Sequence, residues 1–156
     1  MKGLKNRLVY LFTGEFFAMV TFVLVYIYFY HFSSNHSYSL LYMIFVLNFI
    51  LLQGSFYWFI KWKGLKNKRI VVSNIYKFFS VLKKLNLILV CIAALILIKE
   101  ILVLELTYLY LFLVSVFVYA FAVFEYINYF HTQLTNYKNG RGQKSSIAKG
   151  IERIKS

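Results

Sequence analysis

Four long apolar runs separated by short polar breaks organise this chain. The first runs from Leu8 to about Tyr30 and ends at Ser33-Ser34-Asn35-His36-Ser37, a break without full charges. The second runs from Ser39 to Ile60. Both exceed the ~20 residues needed to cross a bilayer core. Lys61-Trp62-Lys63-Gly64-Leu65-Lys66-Asn67-Lys68-Arg69 follows, with five positive charges in nine residues, and reads as a loop. Between Ile70 and Leu85 the pattern becomes helical and two-sided: Ser73, Lys77, Ser80 and Lys84 share one face, and Val71, Ile75, Phe78, Leu82 and Leu85 the other,. The wholly apolar stretch after it, Leu85 to Ile98, is 14 residues, short of a ~30 Å core at ~1.5 Å per residue. One long helix from about Ser73 to Lys99 is therefore predicted, with the span over 75–99 and its first turns outside the core. Lys99-Glu100-Ile101-Leu102-Val103-Leu104-Glu105 reads as a tight external turn. The last span runs from about Leu106 to Phe130, flanked by Tyr108 and Tyr110 at one end and by Tyr126, Tyr129 and Phe130 at the other, as in an interfacial aromatic belt,.

Charge gives these spans a direction. In this topology all of the 18 Lys and Arg except Lys99 fall on one side, which the positive-inside rule assigns to the cytoplasm. The expected fold is all-α: an integral membrane four-helix bundle, N-in and C-in, over 1–135, followed by a basic cytoplasmic tail over 136–156. In that tail Asn139-Gly140-Arg141-Gly142 reads as a flexible break. Beyond it, Ile147, Ile151 and Ile154 share a helical face beside Lys149, Arg153 and Lys155, a pattern that suits a short amphipathic helix or a disordered tail,. Lys2, Lys5 and Arg7 resemble a signal-peptide n-region, but the run after them exceeds a ~7–15 residue h-region and no A-x-A site follows, so it is read as the first span,.

Composition narrows the chemistry. The chain is 61% hydrophobic and 21% aromatic, more apolar surface than a soluble domain of this size hides. It has no Asp and no Pro, and its acids are Glu15, Glu100, Glu105, Glu125 and Glu152. Cys91 is the single cysteine, so no internal disulfide forms,. His31, His36 and His131 lack ligand spacing, so neither a metal site nor a cofactor is expected,. None of the hydrolase, zincin, Walker A or Rossmann signatures occurs, and the expectation is a non-enzyme. The basic segments are juxtamembrane and mixed with apolar residues. Lys61, Lys63, Lys66, Lys68 and Arg69 are thus assigned to anionic lipid headgroups rather than to nucleic acid,.

Polar residues inside the spans are the candidate sites. Glu15 and Gln53 lie about two turns, and Glu125 just over one turn, from the inner ends of their spans, with Lys83, Lys84 and Asn86 at the start of the third,. All four spans thus bring a polar group to one inner-leaflet layer. Glu125, Asn128, Tyr129 and Thr132 share a stripe,. Gly14 and Ala18 form a small-xxx-small pair beside Glu15,. Asn48, deeper, is read as a hydrogen bond across helices. In a structural reading Glu15 and Glu125 pair with Lys83 or Lys84 and with Gln53, fixing register. In a functional reading a buried Glu binds a proton or a cationic substrate. The structural reading is weighted above the functional one, and Glu15 is the better functional candidate because it sits deeper.

The segment Phe124-Glu125-Tyr126-Ile127-Asn128-Tyr129-Phe130-His131-Thr132-Gln133-Leu134 resembles the closing segment of small four-span membrane proteins of Gram-positive bacteria often called general stress proteins. The resemblance implies a plasma-membrane location and raises Glu125, Asn128, Tyr129 and His131 as residues with a shared role. A lone Glu in the first of four spans is also similar to the small multidrug resistance transporters, dimers in which that Glu exchanges protons for cationic drugs. This chain departs from them in its greater length, its basic insert before span three and its lack of Gly- and Pro-rich spans. The leading expectation is a non-enzymatic accessory or regulatory subunit or envelope stress protein, working with a membrane protein partner or as a homodimer. The alternative is a proton-coupled small multidrug-type transporter using Glu15. The orientation has a direct check: cysteines placed between Lys61 and Arg69 are expected to resist an impermeant thiol reagent added outside intact cells, and labelling there overturns the topology.

Overall fold

The computed structural model describes residues 2–32, 38–66, 72–102, 109–138 and 141–155. Four long helices dominate: α1 (Lys2–Phe32), α2 (Tyr38–Lys66), α3 (Val72–Leu102) and α4 (Leu109–Phe130). Each is long and apolar enough to cross a membrane, and the chain is a multi-pass membrane protein with an all-α four-helix bundle. Paired residues show that neighbours run antiparallel. The Ser55 hydroxyl at the far end of α2 donates to the Phe12 carbonyl near the start of α1. Ser39 bonds Glu100 and Gln53 bonds Asn86, so α2 and α3 also run in opposite senses.

The helix ends differ from those expected. Lys61 to Lys66 continue α2 instead of starting a loop: the segment has no proline, and its one glycine, Gly64, costs only about 1 kcal/mol in a helix,. Lys99 to Leu102 complete α3 instead of turning; the remainder of the expected turn lies outside the described residues. On α3 the inward face is Ile75, Phe79, Leu82 and Asn86, with Phe79 and Asn86 fully buried. Phe78 and Leu85, expected on the apolar face with Ile75 and Leu82, are exposed. Lipid tails are as apolar as a core, so an apolar residue on a span is equally at home facing either.

Helix α2 is the centre of the bundle. Leu40, Met43, Ile44, Leu47, Ile50, Leu51 and Tyr57 are all buried, recurring at the three- and four-residue spacing of one helical face. Helix α1 lies against α2 and reaches α4 through two ring pairs, Phe22 with Phe121 at 5.9 Å and Phe29 with Tyr110 at 6.5 Å. Its outer face, with Tyr10, Phe17, Leu24 and Tyr28, is exposed.

The tail is folded rather than a flexible extension. It forms an antiparallel hairpin, β1 (Thr132–Lys138) with β2 (Arg141–Lys144), irregular between Gln133 and Tyr137. Helix α5 (Ser146–Lys155) follows. At the tail end α4 stops at Phe130, one residue past Tyr129, whereas α2 runs on from Gln53 to Lys66 and α3 reaches back from Asn86 to Val72, and α5 packs into the step below the end of α4. Ile147 and Ile151 are buried. Gly150 presses its backbone on the Tyr76 ring of α3, where any Cβ would overlap that ring. Ser145 caps α5: its hydroxyl accepts from the Ala148 amide at 3.0 Å and donates to the Tyr129 carbonyl, while its own amide donates to the His131 carbonyl at 3.0 Å,.

The two glycine contacts separate the tail from the bundle. Gly150→Leu is expected to release α5, seen as rapid amide exchange over 146–155, with thermal unfolding of the four spans little changed. Gly54→Leu, which would drive a side chain into the Tyr129 ring, is expected to destabilise the bundle itself by about 1–3 kcal/mol.

Candidate functional site

Three consecutive residues of α2 reach three different helices. At 3.6 residues per turn, successive side chains point roughly 100° apart. Gln53 meets Asn86 of α3, Gly54 meets Tyr129 of α4, and Ser55 meets the Phe12 backbone of α1. The expected polar layer therefore lies at one depth, but α2 divides it in two.

On the α3 side Gln53 and Asn86 are both buried and form a reciprocal amide pair. The Gln53 amide donates to Asn86 Oδ1 at 3.0 Å, and the Asn86 amide donates to Gln53 Oε1 at 2.7 Å. Gln53 is thus bound to Asn86, in place of the expected pairing with a glutamate. Lys83 donates to the Phe130 carbonyl at 3.1 Å, so its ammonium meets the negative end of the α4 dipole. Lys84 lines the groove between α3 and α5, away from the glutamates. The glutamate–lysine pairing of the structural reading is not formed: among the described residues the ion pair is Lys144 with Glu152 at 2.7 Å. Asn48, expected to bond across helices, keeps its Oδ1 buried and without a partner among the described residues.

On the α1–α4 side the two glutamates share a cleft of about 410 Å³. Below the Phe22–Phe121 contact α1 stands away from α4, and the gap is backed by Leu47 and Leu51 of α2. Glu15 and Gly14 enter from α1, Phe121 and Glu125 from α4, and Tyr10 and Phe17 form aromatic walls. Gly14 has open space where a side chain would stand; here it keeps the cleft open rather than drawing a helix close. Glu125 accepts from the Asn128 amide at 3.3 Å, one turn along α4.

Glu15 also lines a second, smaller cavity of about 180 Å³ on its other side. That cavity is more polar than the cleft: Asn128, Gln133, Ser145 and Ser146 face it beside Leu11, Trp58 and Ile147. It extends from Glu15 to the cap of α5. The Tyr129 ring, held by Gly54, stands between the two carboxylates and the Trp58 indole. Its buried hydroxyl lies close to Glu15 and to the Trp58 indole. Among the described residues no Lys or Arg lines either cavity.

The residues assigned to lipid headgroups divide. Lys61 is engaged within the protein: it donates to the Ser146 hydroxyl at 2.7 Å and lies over the Tyr57 and Trp58 rings, 5.6 and 5.4 Å from their centroids,. Tyr57 bonds the same hydroxyl at 2.8 Å. Lys63 is exposed at the end of α2. The Lys66 side chain, Lys68 and Arg69 lie outside the described residues. His131 follows α4, where burial and the Lys83 ammonium push its imidazole below the ordinary value, favouring the neutral form. Among the described residues no cluster of His, Cys, Asp and Glu is arranged to hold a metal ion.

The amide pair has a quantitative consequence. Asn86→Leu leaves Gln53 with a buried, unpartnered amide, costing about 1–3 kcal/mol, whereas Gln53→Leu with Asn86→Leu removes both polar groups. The double variant is expected to unfold in a denaturing detergent titration no earlier than the single one; additive losses would show that the pair is not a unit. Comparison with protein-family models, with curated proteins and with solved structures finds no match for this chain.

Proposed function

We propose that this is a bacterial plasma-membrane protein, non-enzymatic, that binds a lipophilic cation at Glu15 and Glu125 and exchanges it for protons. One observation carries the reading: Glu15 stands between an aromatic cleft on the α1–α4 side and a more polar cavity running toward the tail, with no Lys or Arg among the described residues that line either. Two carboxylates facing one another in a low-dielectric gap repel each other,, and a cation or a proton relieves that repulsion. Tyr10, Phe17, Phe22 and Phe121 supply the ring faces and edges that suit an aromatic or alkyl cation,. The polar cavity gives protons a route to Glu15 that avoids the aromatic cleft.

The test is calorimetry with tetraphenylphosphonium on the purified protein in two buffers of different ionisation enthalpy. Binding with proton release is expected, weakening as pH falls because protons compete for the same carboxylates. Glu15→Gln is expected to abolish it and Glu125→Gln to weaken it about tenfold, the size of one partly screened charge contact. Glutamine variants that bind the cation as well as the native chain would rule this reading out.

The accessory-subunit reading keeps one feature in its favour. Helix α1 packs mainly on α2, and its long outer face is apolar and open. A stoichiometric protein partner retained in native nanodiscs, together with unchanged cation binding by Glu15→Gln, would support it over the exchanger.

A further inference from the structure

We propose that the groove between α3 and α5 is a binding site for one phosphate-bearing anionic lipid. Two hollows of about 520 Å³ each meet there and share Ser80, Lys84 and Ile151. Lys77 and Lys84 enter from α3, and Lys83 and Lys144 line the hollow nearer α4. Among the described residues the carboxylate in the lining is Glu152, which Lys144 already holds. That hydrogen bond holds the Glu152 carboxyl below its usual range and so ionised, and the four lysines outnumber it, so the described lining is net positive at neutral pH.

The apolar half of the groove suits acyl chains. Val81 and Ile88 are 66% and 59% exposed on α3, and with Leu85 they lead from the lysines along the span, continued by the exposed Ile92 and Leu95. Ile151 and Ile154 of α5 form the opposite wall. Lysines at the start of a span lie at headgroup depth, where their stems reach along apolar surface and their ammonium groups meet phosphate. Ser80 adds a hydroxyl donor between the charged and apolar halves. A zwitterionic choline headgroup would bring its own cation into this cluster, so the groove discriminates by charge. The site exists because the tail is folded: without α5 the α3 lysines would stand on an open helix face.

The experiment is native mass spectrometry of the full chain in mild detergent, titrated with phosphatidylglycerol or phosphatidylcholine. One phosphatidylglycerol is expected to stay bound where phosphatidylcholine washes off. Lys77→Gln with Lys84→Gln is expected to weaken retention about thirtyfold. Lys5→Gln with Arg7→Gln, an equal charge change on α1, is expected to leave it unchanged. Equal loss from both double variants would mean diffuse attraction to the basic end and would overturn the site. Retention of both lipids alike would overturn the charge selectivity. Inorganic phosphate at millimolar concentration is expected not to displace the lipid; displacement would make this a site for free phosphate instead.

Discussion

The structure depends on three adjacent residues of α2, each committed to a different neighbour. Gln53 holds α3 by an amide pair, Gly54 admits the Tyr129 ring of α4, and Ser55 bonds the α1 backbone. Inside a bilayer, apolar burial distinguishes poorly between a neighbouring helix and lipid, so close packing and hydrogen bonds must decide which faces meet. These three positions supply both kinds of contact within one turn. They also set the depth at which Tyr129 sits, and with it the arrangement of the two glutamates around that ring.

The two cavities around Glu15 and the α3–α5 groove share a structural origin. At the tail end helix α4 stops short of α2 and α3, and the tail fills the step beneath it. Ser145 joins the two regions: it caps α5, faces the polar cavity and bonds the carbonyl of Tyr129. Tail and cleft therefore meet at Asn128 and Tyr129 of α4 rather than standing as independent parts.

The spans were legible because length and apolarity decide them. The facing directions were not, and α3 shows why: Phe78 and Phe79 are alike in sequence, yet Phe79 is buried and Phe78 is 52% exposed. Glu15, Gln53, Glu125 and Asn128 could be placed at one depth from helix length alone, but their partners depend on helix rotation. The amide pair of Gln53 with Asn86 replaced the expected pairing with charge. In the tail, the spacing of Ile147, Ile151 and Ile154 pointed to a helix, and Gly150 beside Ile151 was the overlooked sign that its face meets another helix closely. The hairpin gave little signal, since Thr132 to Lys144 carries scarcely any apolar alternation,.

The wedge between α1 and α4 has a mechanical consequence. The two helices touch at Phe22 with Phe121 and at Phe29 with Tyr110, and Glu15 lies seven residues below the first of these contacts, about 10 Å along the axis. With no proline in the chain, α1 lacks the residue that most often kinks a helix. Rotation of a straight α1 by about 15° about the Phe22–Phe121 contact would carry Glu15 about 3 Å toward or away from Glu125 and shift Phe29 by as much against Tyr110,. The Phe22–Phe121 pair is thus a fulcrum, and the width of the gap between the carboxylates is set by the tilt of one rod.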